Sequence, residues 1–329
     1  MTMTSIGKSP SLAAIHSVGR VLQGYLPWIM LVVIAGGLAI FLPSFLTVNN
    51  LFNILRQSSF IGIVAVGMSF AMIAGAFDLS VGSIMGLAAV ILLRTQPAEM
   101  STLAIGAGFA SGAALLIGAA NGLAVGVMQT NSVVTTIGSA FVVLGLTLIY
   151  TQSQNVTAVQ IHPLLEYLSG GRIYRFPVPT ILFLAVAIVA QLALSVTGYG
   201  RQLYATGGNV AAARLSGVNV GRVKMVAYIV SALLAALAGM LIAGRVRSVN
   251  SSFGYGFEFD VLTAVMLGGM SLFGGRGSIA GSVAGVLILG VISNGMTLSG
   301  ISYEMQLVAK GLLLVIAVAL DERLRQRSV

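Results

Sequence analysis

The sequence predicts an all-α polytopic membrane protein of about ten transmembrane helices, with both termini in the cytoplasm. Three observations carry that expectation. Hydrophobic residues make up 57% of the 329 and charged residues 8%, whereas a soluble domain carries about a quarter charged. Apolar runs of membrane length follow one another with short polar interruptions, and the mean hydropathy is +1.00. The basic residues gather at the ends of those runs and divide between two sides.

That division sets the orientation. If the spans alternate, Lys8, Arg20, Arg201, Arg214, Arg222, Lys224, Arg276, Arg323, Arg325 and Arg327 fall on one side. Arg56, Arg94, Arg172, Arg175, Arg245 and Arg247 fall on or near the other. The excess assigns the first side to the cytoplasm. The net charge of +9 therefore reports topology in a lipid bilayer, and no nucleic-acid partner is expected. The chain has no cysteine, which excludes disulfides and thiolate metal sites; neither a metal nor a cofactor is expected.

In order, residues 1–24 read as a polar cytoplasmic tail, with no secretory leader. Residues 25–197 form a first membrane half of about six spans. The first runs from Pro27 to Leu42; Asn49 and Asn50 offer caps for the helix that becomes the second, completed by Ile61 to Ala76. The third ends at Leu93, the fourth covers Leu103 to Met128 and the fifth Val133 to Tyr150. An outer loop, 151–179, contains Pro163 and an amphipathic LLEYL, and the sixth span is Thr180 to Thr197. Residues 198–224 are a polar loop, and 225–320 a second half of about four spans, beginning with Met225 to Ala243. Residues 321–329 are a cytoplasmic tail. GSIMG at Gly82 is echoed by GSIAG at Gly277, and Asn121-Gly122 by Asn294-Gly295. An inverted repeat of two halves, common in transporters, is one reading of that echo, although the spacings differ.

A few polar residues interrupt the apolar runs. Asp78, in GAFDLSVGS, would cap the third span by accepting an amide from Ser80 or Val81 where Gly75 breaks the chain. Its sharper reading, with Ser80, Ser83, Asn121 and Asn294, is a translocation path. Interhelical hydrogen bonding is the plainer account of the two asparagines. Glu258 and Asp260 precede an eighth span, where they complement the helix dipole or face an outer vestibule or a binding protein. Lys310, well inside the tenth span, is left to snorkel, to pair with an acid or to stay neutral. The turn at Gly274-Gly275-Arg276-Gly277 lacks the Lys-Ser/Thr of a phosphate loop, so nucleotide would be handled elsewhere. No nucleophile, His and acid are grouped on one segment, which argues against an enzyme.

The loop 198–224 carries Arg201, Arg214, Arg222 and Lys224 with no acid. Gly207-Gly208 is expected to break the chain there, Asn209 to cap a helix of about two turns through Ala213, Arg214, Leu215 and Ser216, and Gly217 to end it before Val218. GGNVAAARLSGVNV, with FDVLTAVMLGGMSLFGGRGSIAGSVAG after it and VGMSFAMIAGAFDLSVGSIMG before, resembles the permease subunit of ribose-type bacterial ABC sugar importers, of the branched-chain amino acid/ribose permease superfamily. The likeness runs from about Leu46 to Leu320.

That resemblance implies that Gly207 to Val218 couple the chain to an ABC ATPase subunit. It also implies a periplasmic sugar-binding protein, a second permease copy or close paralogue in a dimer, a simple sugar as substrate, and residence in the bacterial inner membrane. Transport would proceed by alternating access, with ATP hydrolysed in the partner. A nucleoside or branched-chain amino acid is the alternative cargo, and an ion-driven secondary transporter the alternative class.

Overall fold

The computed structural model describes residues 10–326, with side chains described for 25–323. Thirteen helices are described: α1 Pro10–Phe41, α2 Val48–Ile73, α3 Val81–Arg94, α4 Met100–Gly122, α5 Ser132–Thr151, α6 Pro163–Gly170, α7 Val178–Val196, α8 Gly198–Gly208, α9 Val210–Leu215, α10 Val220–Val246, α11 Phe257–Leu267, α12 Ile279–Leu298 and α13 Tyr303–Gln326. From Pro10 the expected N-terminal tail is already helical, while residues 1–9 and 327–329 lie outside the described residues.

Seven of these helices are long and apolar enough to cross a membrane: α2, α4 with the π-helical turn Leu123–Val127 that continues it, α5, α7, α10, α12 and α13. Two of the runs read as spans are shorter: α3 has 14 residues and α11 has 11. At 1.5 Å per residue, α3 is about 21 Å long and α11 about 17 Å, against a hydrocarbon core of about 30 Å. Each short helix follows a long one across a non-helical segment: α2 and α3 flank 74–80, and α10 and α11 flank 247–256, apart from a two-residue strand.

The core lies where α2, α3 and α10 meet, with α4, α11 and α12 around them. Small residues let the backbones approach. A Cβ on Gly239 of α10 would lie 2.1 Å from the carbonyl of Met85 in α3, and one on Gly67 of α2 would lie 3.0 Å from the Cα of Ser231. In a bilayer such close contact replaces the hydrophobic drive that water would give. The apolar window of α2 is 78% buried, whereas those of α5 and α13 are only 22% and 6% buried. The last two therefore present their apolar faces outward, toward lipid or a partner.

At the far end from α9, the strand β1 (Val156–Thr157) pairs antiparallel with β4 (Ser248–Val249), and β2 (Arg172–Ile173) with β3 (Phe176–Pro177). The first pair clamps the 151–179 loop to the end of α10, and the second folds that loop on itself. His162 starts α6 by accepting the amide of Leu164 through Nδ1 at 3.2 Å. Asn50, expected to cap α2, instead faces α12, and Thr47 stands at the cap position.

Candidate functional site: the exposed central helix and the broken second span

The loop 198–224 folds as two helices, of which α8 was not foreseen. Thr197 opens α8, its hydroxyl accepting the amide of Gly200 at 3.2 Å. Gly207 and Gly208 do not break the chain: α8 runs through both, and the break falls at Asn209, extended at φ −160° and ψ 105°. Asn209 then caps α9, Oδ1 accepting the amide of Ala212 at 3.0 Å. The exit is closed as well. Gly217, at φ +80°, donates to the carbonyl of Arg214, and Val218 to that of Ala213, both at 3.0 Å. This paired bonding satisfies carbonyls that a short helix would otherwise leave open. Asn219 caps α10 in turn through the amide of Arg222.

The result is a rigid knuckle. Ala213 is buried against the bundle, while Leu215 is 92% exposed and Arg214 is exposed beside it. Arg214 also repels Lys224 on the first turns of α10, and neither makes an ion pair among the described residues.

The knuckle is wired to the membrane bundle through glycine. A Cβ on Gly207 would lie 1.8 Å from the carbonyl oxygen of Ile73, at the end of α2, and 2.4 Å from the amide of Gly275. Gly275 donates to the same carbonyl at 2.9 Å, and a Cβ on Gly274 would lie 2.5 Å from the Cα of Gly75. Glycine is required because three backbones cross within van der Waals distance. Tyr204 of α8 adds a bond to the carbonyl of Gly277 at 2.9 Å. Asp321, near the end of α13, holds the same loop by accepting the amide of Leu272 at 3.0 Å.

Just past this crossing lies Asp78, fully buried. Its Oδ1 accepts the amide of Ser80 at 3.1 Å and the hydroxyl of Ser80 at 2.5 Å; the expected bond to Ser80 forms, but it closes the turn ahead of α3, whose cap position is Ser80 itself. Asn121 of α4 donates to Ser80 Oγ at 3.0 Å. Leu79 donates to Thr136 Oγ1 of α5 at 3.0 Å, and Tyr228 of α10 donates to the carbonyl of Phe77 at 2.7 Å. The second oxygen, Oδ2, is buried without a hydrogen bond, as is Ser231 Oγ of α10. Asp78, Ser80 and Asn121 thus form one cluster, with buried Ser83 one turn further along α3.

The remaining candidates lie elsewhere. Asn294 exchanges two hydrogen bonds of 2.8 Å with Asn50. Asp260 pairs with Lys310 at 2.8 Å, joining α11 to α13, so of the three fates open to Lys310 the structure has the ion pair. Glu258 is buried against Gly82 with Oε2 unpartnered, and Tyr255 and Phe259 beside it are exposed. Thr136, Tyr228 and Ser231 were not identified from the sequence; each is a polar residue inside an apolar run, with nothing local to name its partner.

The opposite face carries an arginine cluster. Arg56 is pressed by Arg172 and Arg245, its Nε is buried without a partner, and Arg245 lies over the Phe60 ring at 5.7 Å. None of these three, nor Arg175, makes an ion pair among the described residues, whereas Arg247 pairs with Glu166.

A bundle with seven helices long enough to cross a membrane, two half-length helices and a capped, exposed helix fits a class, the membrane transport subunit. Comparison with known proteins makes that specific. The family described as branched-chain amino acid transport system / permease component matches residues 50–318, and the chain belongs to it. It is 38% identical to the ribose import permease protein RbsC of Escherichia coli K12 over 284 residues, 85% of this chain and 88% of that one. To the RbsC of Bacillus subtilis it is 38% identical over 311 residues, 92% and 94% of the two chains. To the L-arabinose transport system permease protein AraH of Escherichia coli K12 it is 36% identical over 333 residues, 99% of each. No solved structure matches the chain significantly.

Proposed function

We propose that this chain is the permease subunit of an ATP-driven importer of a simple sugar in the bacterial inner membrane. The observation that carries the reading is the capped α9, which exposes Leu215 and Arg214 while Gly207 rests on the end of α2. An exposed leucine on a rigid, positively charged knuckle suits an apolar pocket rimmed with acids on a soluble partner. That partner is an ABC ATPase, which hydrolyses the ATP in a separate subunit. The relatives named for ribose and arabinose transport make a sugar the favoured cargo.

In this reading the chain crosses the membrane about ten times, with α3 and α11 as half-length spans, and both termini are cytoplasmic. The pairs α2/α3 and α10/α11 run in opposite senses, as an inverted repeat requires. Two copies, or this chain with a close relative, form the route. Sugar passes along the start of α11, where the exposed Tyr255 and Phe259 offer aromatic faces. A periplasmic sugar-binding protein docks on the opposite face from α9, where Arg56, Arg172, Arg175 and Arg245 await acidic groups. Binding of the ATPase to the two permease states with different affinity drives the switch.

An ion-driven mechanism is disfavoured by the pairing of the partly buried Asp260 with Lys310, which neutralises an acid that a coupling ion could otherwise use. The test is reconstitution in vesicles with the ATPase and binding protein encoded beside this chain. Uptake of labelled ribose or arabinose should require ATP and survive collapse of ion gradients. ATP-independent uptake that collapses with a gradient would contradict the proposal.

A further inference from the structure

Resting on the importer reading above, we infer that Asp78 is a positioning residue. Through Ser80 it joins the α2–α3 break to α4, between backbone bonds that tie the same break to α10 and α5, without needing its charge, and so hands motion of the central loop on to α3.

Two halves of the break do different work. On its inner side the carbonyl of Ile73 receives the Gly275 amide and touches the backbone of Gly207, which leads through α8 straight into α9. A displacement of α9 that carries Gly207 must therefore displace the end of α2 or part these backbones. Gly75 follows at φ +72°, a conformation that side chains resist, and it supplies the swivel.

Beyond Gly75, four consecutive residues are each bound to a different place. Phe77 is held by Tyr228, Asp78 by Ser80 with Ser231 facing it, Leu79 by Thr136, and Ser80 by Asn121. The start of α3 is thus fixed to three helices, and it moves with them or not at all. Asp78 is the keystone because Oδ1 holds Ser80 by both backbone and side chain, and Ser80 in turn carries Asn121.

Charge has no counterpart at this site. Both ion pairs among the described residues lie elsewhere, Arg247 with Glu166 and Lys310 with Asp260. The groups that face Asp78 are Ser80 on its own segment and Ser231 and Tyr228 from α10, with Asn121 of α4 and Thr136 of α5 one bond further out; all are neutral. An ionised carboxylate enclosed by neutral groups is strongly disfavoured. The geometry asks only for an acceptor at Oδ1, and an amide supplies it.

The experiment uses the complete importer in vesicles and reads sugar moved per ATP hydrolysed. Asp78→Asn should keep that ratio within about twofold of the wild type, while Asp78→Ala should lower it about tenfold or more with ATP hydrolysis continuing. Because Asp78→Ala risks misfolding, Tyr228→Phe and Thr136→Val, which cut single bonds of the same cluster, should lower the ratio in the same direction. Loss of uptake in a stable, assembled Asp78→Asn importer would overturn the inference, since the charge would then be needed. Unchanged ratios in Asp78→Ala, or in both milder variants, would overturn it too. A wild-type importer that moves sugar without ATP would instead refute the importer reading itself.

Discussion

Gly207 and Ile73 meet backbone to backbone, so closely that a single methyl on Gly207 would lie 1.8 Å from the carbonyl oxygen of Ile73. The same carbonyl accepts the Gly275 amide at 2.9 Å. Through this one oxygen the central loop, the end of α2 and the loop before α12 touch, and a push on α9 has a route into the bundle that needs no side chain.

Gly207→Ala should be damaging and its neighbour Gly208→Ala tolerated. A Cβ on Gly208 meets nothing within 4 Å, whereas one on Gly207 forces two backbones apart, and overpacking of this kind costs about 1–3 kcal/mol. Thermal unfolding in detergent and ATP-dependent uptake in vesicles check both variants; equal behaviour would contradict the packing argument.

Leu215→Asp should abolish association with the ATPase subunit while leaving the fold intact. Leu215 is 92% exposed, so its replacement removes no core contact, yet it is the apolar point of α9. Co-purification measures the association and unfolding temperature the fold. Arg214→Glu should weaken association in the same sense, because it reverses the charge offered to the acidic rim.

Removing one partner of the Lys310–Asp260 pair should destabilise the chain more than removing both. The two groups are 17% and 23% exposed, and breaking a buried pair strands a charge at a cost of about 3–5 kcal/mol in the fully buried case. Lys310→Met should therefore lower the unfolding temperature, and Lys310→Met with Asp260→Leu should recover much of the loss. A double variant worse than either single would show that the pair does more than offset its own burial.

The arginine cluster predicts salt-dependent docking. Arg172→Ala and Arg175→Ala should weaken binding of the periplasmic protein and flatten its dependence on ionic strength, with little effect on stability because exposed arginines hold nothing here. Surface plasmon resonance at two salt concentrations decides it.

How much of this was legible depended on whether the physics is local. Asn209 and Gly217 declare α9 because capping involves residues three apart, and the bond from Ser80 to Asp78 was legible because it is just as local, although it closes a turn and does not cap α3. Gly207 was misread as a breaker. Its reason is a crossing with Ile73 and Gly275, both far off in the chain, and a glycine needed for close approach looks the same in sequence as one needed for a turn. Apolarity announced spans but not their lengths, so α3 and α11 were not recognised as half-length. Thr136, Tyr228 and Ser231 stayed hidden because a hydroxyl in an apolar helix does not reveal which neighbour it faces.

The sequence contains no cysteine, so Leu215→Cys would give the chain a single thiol at the tip of α9. Its reaction with a membrane-impermeant thiol reagent, and its cross-linking to the ATPase subunit, report which face α9 occupies and what it touches. Labelling should occur only from the cytoplasmic side, with a cross-link to the ATPase whose yield changes when ATP is bound. Labelling from the outer side, or a fully assembled importer that gives no cross-link, would contradict the coupling role of α9.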